Sequence, residues 1–518
     1  MNAVSIRDPE VLIIGAGPTG LVLALWLTRL GVRVRIIDKT AEPGTTSRAL
    51  AVQARTLELY GQMGLADAVI DRGRKTMAVN LWVAGKKTAH AVFGEMGAGL
   101  SPFPFALIFP QDEHERLLID RLTEQGVQVE RQTELQGFEE ASGRVLARLK
   151  RLDGALETCE VSYIAGCDGA HSTVRTALVG TGFPGGVYAH LFYVADVEAS
   201  GATMNGELHV ALDRTDFLAM FPLRGKGRAR LIGTVRKEAE QQHENLSWND
   251  VSKHVIEWIR IDVERVNWFS TYRVHHRVAD HFREGRAFLL GDAAHIHSPV
   301  GGQGMNTGIG DAVNLAWKLA AVLRGRADAS LLDSYEPERI AFARRLVATT
   351  DQAFRGVTSS GALARLIRLH LVPLLIPLFF TLKTMRRFLF RTVSQTAVNY
   401  RGSSLSEGRA GTVYGGDRLP WVKTKVNGVE SDNFAPLSSP DWQAHVYGDA
   451  APEIRAVCEE RKLPLHVFPW EPEMSRAGLR PNAVYLLRPD GYVALADPAG
   501  SATAVTSYLD ARKLTPAS

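Results

Sequence analysis

The first residues in this chain whose types and spacing could do chemistry are three glycines, Gly15-x-Gly17-x-x-Gly20, followed eighteen residues later by Asp38. Glycines in that pattern let a backbone turn tightly and approach a pyrophosphate, whose charge then meets a helix N-terminus. An acid at the end of the following strand can accept hydrogen bonds from a ribose. A ligand-free glycine turn is the alternative that the triplet alone leaves open. A second acid, Asp292, stands in FLLGDAAHIHSPVGGQGMNTGIGDAVNLAWKL, after a buried-strand pattern and before a glycine-rich loop and a helix pattern. Its carboxylate can hold a ribityl hydroxyl. Consecutive backbone N–H groups at Gly304–Asn306 can face a pyrimidine carbonyl that becomes anionic on reduction. The combination describes a flavin site.

These residues need a parallel sheet to place them. A strand Val11–Ile14, a helix over about Thr19–Leu30 and a strand Val32–Asp38 form a βαβ start whose nearly continuous Val/Ile runs fit a sheet covered on both faces. Helices are expected at Ala54–Met63 and Asp112–Gln125, the latter leading into Val127–Glu130. A strand Glu160–Ala165 runs into Gly-Cys-Asp-Gly, a strand Arg286–Leu290 enters the loop Gly291–Gly310, and a helix follows from about Asp311 to Leu323. Between Gly182 and His281 the pattern is β-rich, with FLAMFPL and ARLIGTV as clear strands. The tail contains AVYLLRPDGYVAL, where Asp490-Gly491 signals a hairpin. The expected organisation is an α/β cofactor domain in three pieces (1–75, 105–181 and 282–350), a β-rich substrate domain (76–104 and 182–281), a basic and apolar helical segment (351–407) and a separate tail (408–518).

Composition narrows the classes. The chain has 518 residues with a formal charge of only +4, so collagen-like, disordered and coiled-coil readings fall away and nothing global points to nucleic acid. Three cysteines, Cys159, Cys167 and Cys458, form no CxxC, which argues against a disulfide framework or a thiolate zinc site and fits a reducing cytoplasm. Val11–Val34 is apolar but carries Gly15, Gly17, Pro18, Gly20 and Arg29, unlike a signal segment. LVPLLIPLFF at Leu371–Phe380 is too short to span a bilayer. Around it, residues 352–406 hold no acid while Arg355, Arg365, Arg368, Lys383, Arg386, Arg387, Arg391 and Arg401 are basic. An interface within or between subunits is the favoured reading, and peripheral membrane contact through Arg355–Arg401 the alternative.

Three motifs, VLIIGAGPTGLVLALWL, AGCDGAHSTVR and LLGDAAHIHSPVGGQGMNTGIGDAVNLAWKLAA, resemble those of single-component FAD-dependent aromatic hydroxylases, in the branch of phenol and polyketide hydroxylases. The order and spacing match over about the first 350 residues, and RPDGYVAL resembles the branch's C-terminal thioredoxin-like domain. The resemblance implies a Rossmann-like FAD domain of the p-hydroxybenzoate hydroxylase type and a redox-silent tail. It also implies FAD contacts from Gly15, Gly17, Pro18, Thr19 and Gly20 to the pyrophosphate, and from Asp38 and Lys39 near the ribose. Asp38 stands where the family more often has Glu. Arg48 matches an arginine lying along the cofactor, and Gln111 a glutamine near the ribityl chain. Asp168 and Gly169 match the motif associated with both FAD and the reduced nicotinamide nucleotide, closed by Arg175, while His171 replaces a more usual Arg. Gly291 and Asp292 would hold the ribityl chain, and Pro299, Gly301, Gly302, Gly304, Met305 and Asn306 would line the flavin ring.

By the same resemblance, NADPH or NADH reduces FAD without a second dinucleotide fingerprint, and dioxygen then gives a flavin hydroperoxide that hydroxylates a phenolic or polycyclic aromatic substrate. A monooxygenase that tailors or inactivates an antibiotic, including by oxygen insertion, is the alternative, and a non-catalytic flavoprotein the more distant one. A His or Tyr could take the phenolic proton. Tyr272 and His275, beside Arg273 and His276, are the candidates, with half-exposed sheet positions as the bland reading. His295 and His297 are expected to satisfy loop backbone groups rather than bind zinc. Phe217, Met220 and Phe221 could form an apolar substrate wall or simply core. A homodimer is an open possibility.

Overall fold

The computed structural model describes residues 8–44, 49–178, 180–213, 216–235, 246–298, 300–358, 381–426 and 428–516. Arg48, Pro299 and the apolar run 371–380 lie outside the described residues.

The segment VLII, buried at every position, can only be a central strand, and Val11–Ile14 is paired in parallel on both sides. On one side it runs beside Val34–Asp38, from Val11 opposite Val34 to Ile14 opposite Ile37. On the other it runs beside Tyr163–Gly166. The full six-stranded sheet orders as Arg283–Glu284, Ala287–Leu289, Tyr163–Gly166, Val11–Ile14, Val34–Asp38, Val129–Arg131. The chain leaves the first strand to one side and later returns on the other, so a crevice opens at the carboxyl ends of the central strands, the usual ligand position in such sheets. All three sequence motifs end there.

Two helices back this crevice. Pro18–Arg29 starts with Pro in its first turn, where the missing N–H costs nothing. Gly304–Leu323 packs along it so closely that a Cβ on Gly308 would lie 2.3 Å from Thr19 Oγ1. That second helix begins at Gly304, seven residues before the expected start at Asp311, because its early glycines hide the helical periodicity. The expected strand Glu160–Ala165 is also divided. Leu156–Val161 belongs to a small antiparallel sheet with Glu134–Ala141 and Arg144–Lys150, and Tyr163–Gly166 joins the main sheet.

An eight-stranded sheet stands over the crevice: His295–Ile296, Asp262–Val278, Gly185–Ser200, Arg228–Thr234, Phe217–Pro222, Leu208–Leu212, Ala78–Val83 and Lys86–Val92. Its first strand comes from the second cofactor motif, with Arg277 opposite Ile296 and Val278 opposite His295.

The tail is a six-stranded mixed sheet. Gln443–Tyr447, helix Pro452–Glu460 and the parallel strand Leu465–Phe468 precede the antiparallel hairpin Val484–Leu487 and Val493–Asp497, then helix Ala502–Ala511. The hairpin turn reaches into the cofactor domain. Arg488, wholly buried, pairs with Glu338 at 2.7 Å and with Asp490 at 2.6 Å, and Lys318 completes the cluster at 2.8 Å from Glu338. The helix Lys383–Val393, within the basic segment, lies against the short helix Phe93–Met96 through Phe390 packed on Phe93 and Met96, and through Arg386 paired with Glu95. Among the described residues no helix is long and apolar enough to cross a membrane.

Candidate active site

The glycines of the first motif divide by what surrounds them. Gly15 has φ +100°, and a Cβ there would sit 2.4 Å from the Cys167 carbonyl oxygen. A Cβ on Gly20 would meet the Gly15 carbonyl oxygen at 2.0 Å. These two are demanded by the fold. Gly17 caps the helix Pro18–Arg29 in extended geometry, with no side-chain cap and nothing within 4 Å of where a Cβ would stand. Uncapped N–H groups at a helix N-terminus facing open space form an anion cradle. A cavity of about 240 Å³ lies in front of it, lined by Gly15, Gly17, Asp38, Lys39, Asp168 and Gly169 among others.

Asp38 braces this cradle. Its Oδ2 accepts from the Ala16 N–H at 2.7 Å, and its Oδ1 from the Thr40 N–H at 2.8 Å and the Thr40 hydroxyl at 2.6 Å. Beside it, Arg131 Nη2 is buried with no acceptor among the described residues. An open cavity, uncapped helix donors and an orphaned guanidinium N–H together fit the diphosphate and adenosine ribose of FAD.

The second motif works as a clasp. Asp168 accepts from the Thr173 N–H at 2.7 Å, the Val174 N–H at 3.2 Å and the Ser172 hydroxyl, so it answers the first two N–H groups of the helix Thr173–Ala177 and holds its N-cap, Ser172. Arg175 donates to the carbonyls of Ala293 and Ala170 and lies 3.9 Å over the Phe183 ring. These side chains tie the second motif to the third and place the backbone of Gly169, which has φ +76° and an open Cβ direction.

In the third motif Gly291 takes φ +58°, where a Cβ would meet Thr19 Oγ1 at 2.7 Å, and the exposed Asp292 follows. The Gly291 N–H donates to Asp311 Oδ2. Asp311 is buried and also contacts His295 Nε2 at 2.7 Å and Arg339 Nε at 2.5 Å. Burial opposes its ionisation, but Arg339 and then His295 hold its carboxyl below the ordinary range. His295 therefore pairs with a carboxylate rather than with loop backbone, whereas His297 Nδ1 does lie 2.7 Å from the Ser298 carbonyl. Among the described residues no group of His, Cys, Asp and Glu could hold a metal ion.

Gly301 (φ +79°) and Gly302 (φ +61°) turn the loop into the helix at Gly304, so the N–H groups of Gly304, Met305 and Asn306 stand in its uncapped first turn. The Asn306 side chain is spent elsewhere. It accepts from the Gln53 N–H and Thr56 hydroxyl and donates to the carbonyls of Ala51 and Gly302. Gln111, the first residue of helix Gln111–Glu124, donates to Glu115 at 2.8 Å, whose carboxyl is pushed up by burial.

Across the crevice, Phe217 clusters with Tyr188, Phe192, Val274 and Tyr272. Phe221 joins Trp268 and Tyr272 against Leu50 and Ile108 of the cofactor domain. Met220 corrects the expected substrate wall. Strand alternation turns it to the opposite face, fully buried in the core under helix His254–Trp258, so it cannot share a surface with Phe217 and Phe221. Tyr272 and His275 both line a cavity of about 540 Å³ with His171, Arg175, Arg273 and Arg277. Arg277 Nε is buried there with no acceptor among the described residues. Sequence reasoning passed over Asp311, Arg131, Trp268 and Arg277. Only Asp311 left a signal, as the lone acid of the helix Gly304–Leu323.

Comparison with known proteins gives the same assignment. Residues 8–350 match the model of the FAD binding domain family. The chain is 34% identical to 6-methylpretetramide 4-monooxygenase of Streptomyces rimosus, over 98% of this chain and 94% of that one. It is 32% identical to pentachlorophenol 4-monooxygenase of Sphingobium chlorophenolicum, over 66% of this chain and 64% of the relative. Among solved structures, OxyS anhydrotetracycline hydroxylase from Streptomyces rimosus superposes with a TM-score of 0.77 at 26% identity, covering 98% and 99% of the two chains. The fold and the site thus define an α/β flavoprotein. The chain belongs to the family of FAD-dependent aromatic and polyketide monooxygenases, and it is an FAD-dependent monooxygenase.

Proposed function

We propose that this monooxygenase uses NADPH or NADH to hydroxylate a phenolic, polycyclic aromatic substrate of the polyketide type, acting as a tailoring enzyme on such a scaffold. The observation that carries this reading is the pairing of His295–Ile296 with Arg277–Val278. It joins the loop that would line the flavin to the sheet strand bearing Tyr272 and His275. The full-length likeness to a polyketide monooxygenase, against two-thirds coverage for the pentachlorophenol enzyme, supports the larger substrate.

Bound FAD supplies hydride acceptance and dioxygen activation. The chain would hold it through the N–H groups of the helix starting at Pro18, Asp38 at the ribose, Asp292 at the ribityl chain and the first turn at Gly304–Asn306. The donors of that turn would favour negative charge on the ring they face. Phe217, Phe221, Trp268 and Tyr272 would seat an aromatic substrate and exclude water. Tyr272 or His275 would take the phenolic proton from substrate oxygen. Arg175, Arg273 and Arg277 would supply the positive charge that a nicotinamide nucleotide's phosphates require, with His171 lining the same cavity.

We assign the FAD unit to 1–75, 105–181 and 282–350, the substrate unit to 76–104 and 182–281, and the tail from 408 to a thioredoxin-like unit without redox chemistry. The tail's single cysteine, Cys458, is buried, with its thiol pushed up to about 11 by burial, and all three cysteines are free, in keeping with a cytoplasmic setting. Anaerobic reduction kinetics test the reductant site. Arg277→Ala should weaken NAD(P)H binding about tenfold while leaving FAD content unchanged. Unaltered nucleotide affinity would remove this cavity from the reaction.

A further inference from the structure

The acid-free segment has a structural counterpart that the oxygenation chemistry does not use. On the helix Lys383–Val393, Arg387 and Arg391 are one turn apart on the same face. They look into a cavity of about 300 Å³ whose other walls come from Gly99 and Leu100, from Arg401 further along the same segment, and from the tail, including Arg418, Trp421 and Arg476.

Most of these cations are answered within the protein. Arg401 pairs with Asp417 at 2.7 Å, Arg418 with Glu58 at 2.5 Å, and Arg476 with Glu473 at 2.8 Å. Arg387 donates only to the Ala98 carbonyl, at 3.1 Å, and neither it nor Arg391 has an ion-pair partner among the described residues. Desolvation, and after it the neighbouring guanidinium groups of Arg418, Arg387 and Arg401, disfavour the charge on Arg391, against the opposing pull of the Asp417 carboxylate, which also lines the cavity. A further donor is unanswered: the Trp421 indole Nε1–H is buried without an acceptor among the described residues. Clustering like charges around a concavity is costly unless an anion enters.

We infer that this cavity is a second ligand site, which takes the phosphate group of a small anionic molecule between Arg387 and Arg391, beside the indole of Trp421. A phosphate oxygen set matches planar guanidinium donors, and the tryptophan and Pro420 offer an apolar wall to an attached organic group. The volume suits a small molecule. The site lies where helix, substrate domain and tail meet, so its occupant would bind three parts of the chain together.

Calorimetric titration of the FAD-saturated enzyme at fixed ionic strength tests this, with inorganic pyrophosphate and phenyl phosphate as probes and chloride as the reference salt. One saturable event is expected, weakened about tenfold in Arg391→Gln, with flavin content and turnover retained. Tighter binding of phenyl phosphate would identify an organic phosphate as occupant, and equal or tighter binding of pyrophosphate a free one. In chloride alone, Arg391→Gln should melt no lower than the parent, since it loses repulsion and no ion pair. The inference is overturned by the absence of saturable binding, by binding that survives Arg391→Gln but disappears in Arg277→Ala, or by a lower melting point of Arg391→Gln in chloride.

Discussion

Single atoms separate the residues that hold the fold from those that leave room for the cofactor. Gly20 touches backbone at a distance no Cβ tolerates, whereas Gly17 faces open space. Gly17→Ala should therefore fold with unchanged stability of the FAD-free protein and lose at least about tenfold in FAD affinity, roughly 1.4 kcal/mol, measured by flavin fluorescence titration. Equal affinity would mean that the cradle is not where the diphosphate sits. The two aspartates of the later motifs should also part company. Asp168 accepts from two first-turn N–H groups of a helix, so Asp168→Ala should cost about 1 kcal/mol of stability, while Asp292→Ala should reduce FAD retention with little change in the urea midpoint. The pairing of GxGxxG with Asp38 was legible from residue types and spacing alone. The buried partners Asp311, Arg339 and His295 were not, because a contact between residues 16 and 28 positions apart leaves no local pattern.

At the scale of elements, strands were easier to read than the helix that matters most. The helix Gly304–Leu323 starts inside what looks like a glycine loop, since its early glycines are there to admit Thr19 and Arg339 rather than to break structure. The helix Gln111–Glu124 carries a titrating element of its own. His114 is buried, 2.7 Å from the Tyr60 hydroxyl, and burial pushes its pKa down to about 3. The unfolded chain takes up that proton near pH 6.5, so the stabilisation is complete above 6.5 and is lost as pH falls toward about 3. Denaturant midpoints measured across this range should drop toward acid. His114→Gln should lower stability at neutral pH yet flatten the slope, and an unaltered slope would assign the acid sensitivity elsewhere.

For the molecule as a whole, the tail is bound to the cofactor domain by buried charge. Glu338 is held below the ordinary carboxyl range by Arg488 and Lys318 against the opposing effect of burial. Removing one partner from such a cluster strands the others, so Arg488→Met should cost about 3–5 kcal/mol and should lower the melting temperature of cofactor domain and tail together. Two separate transitions, with only the tail affected, would show that the units are energetically independent. The hairpin Val484–Asp497 was visible from Asp490-Gly491, but its docking was not, because a charged pair reads as surface until a partner domain covers it. The chain oxygenates an aromatic substrate with FAD. Mass spectrometry of the product formed from isotopically labelled dioxygen, NADPH and a phenolic polyketide tests this most directly. One labelled oxygen atom should appear in the product, with none from water. Unlabelled substrate returned with all reducing equivalents appearing as hydrogen peroxide, across a panel of phenols and polyketides, would contradict it.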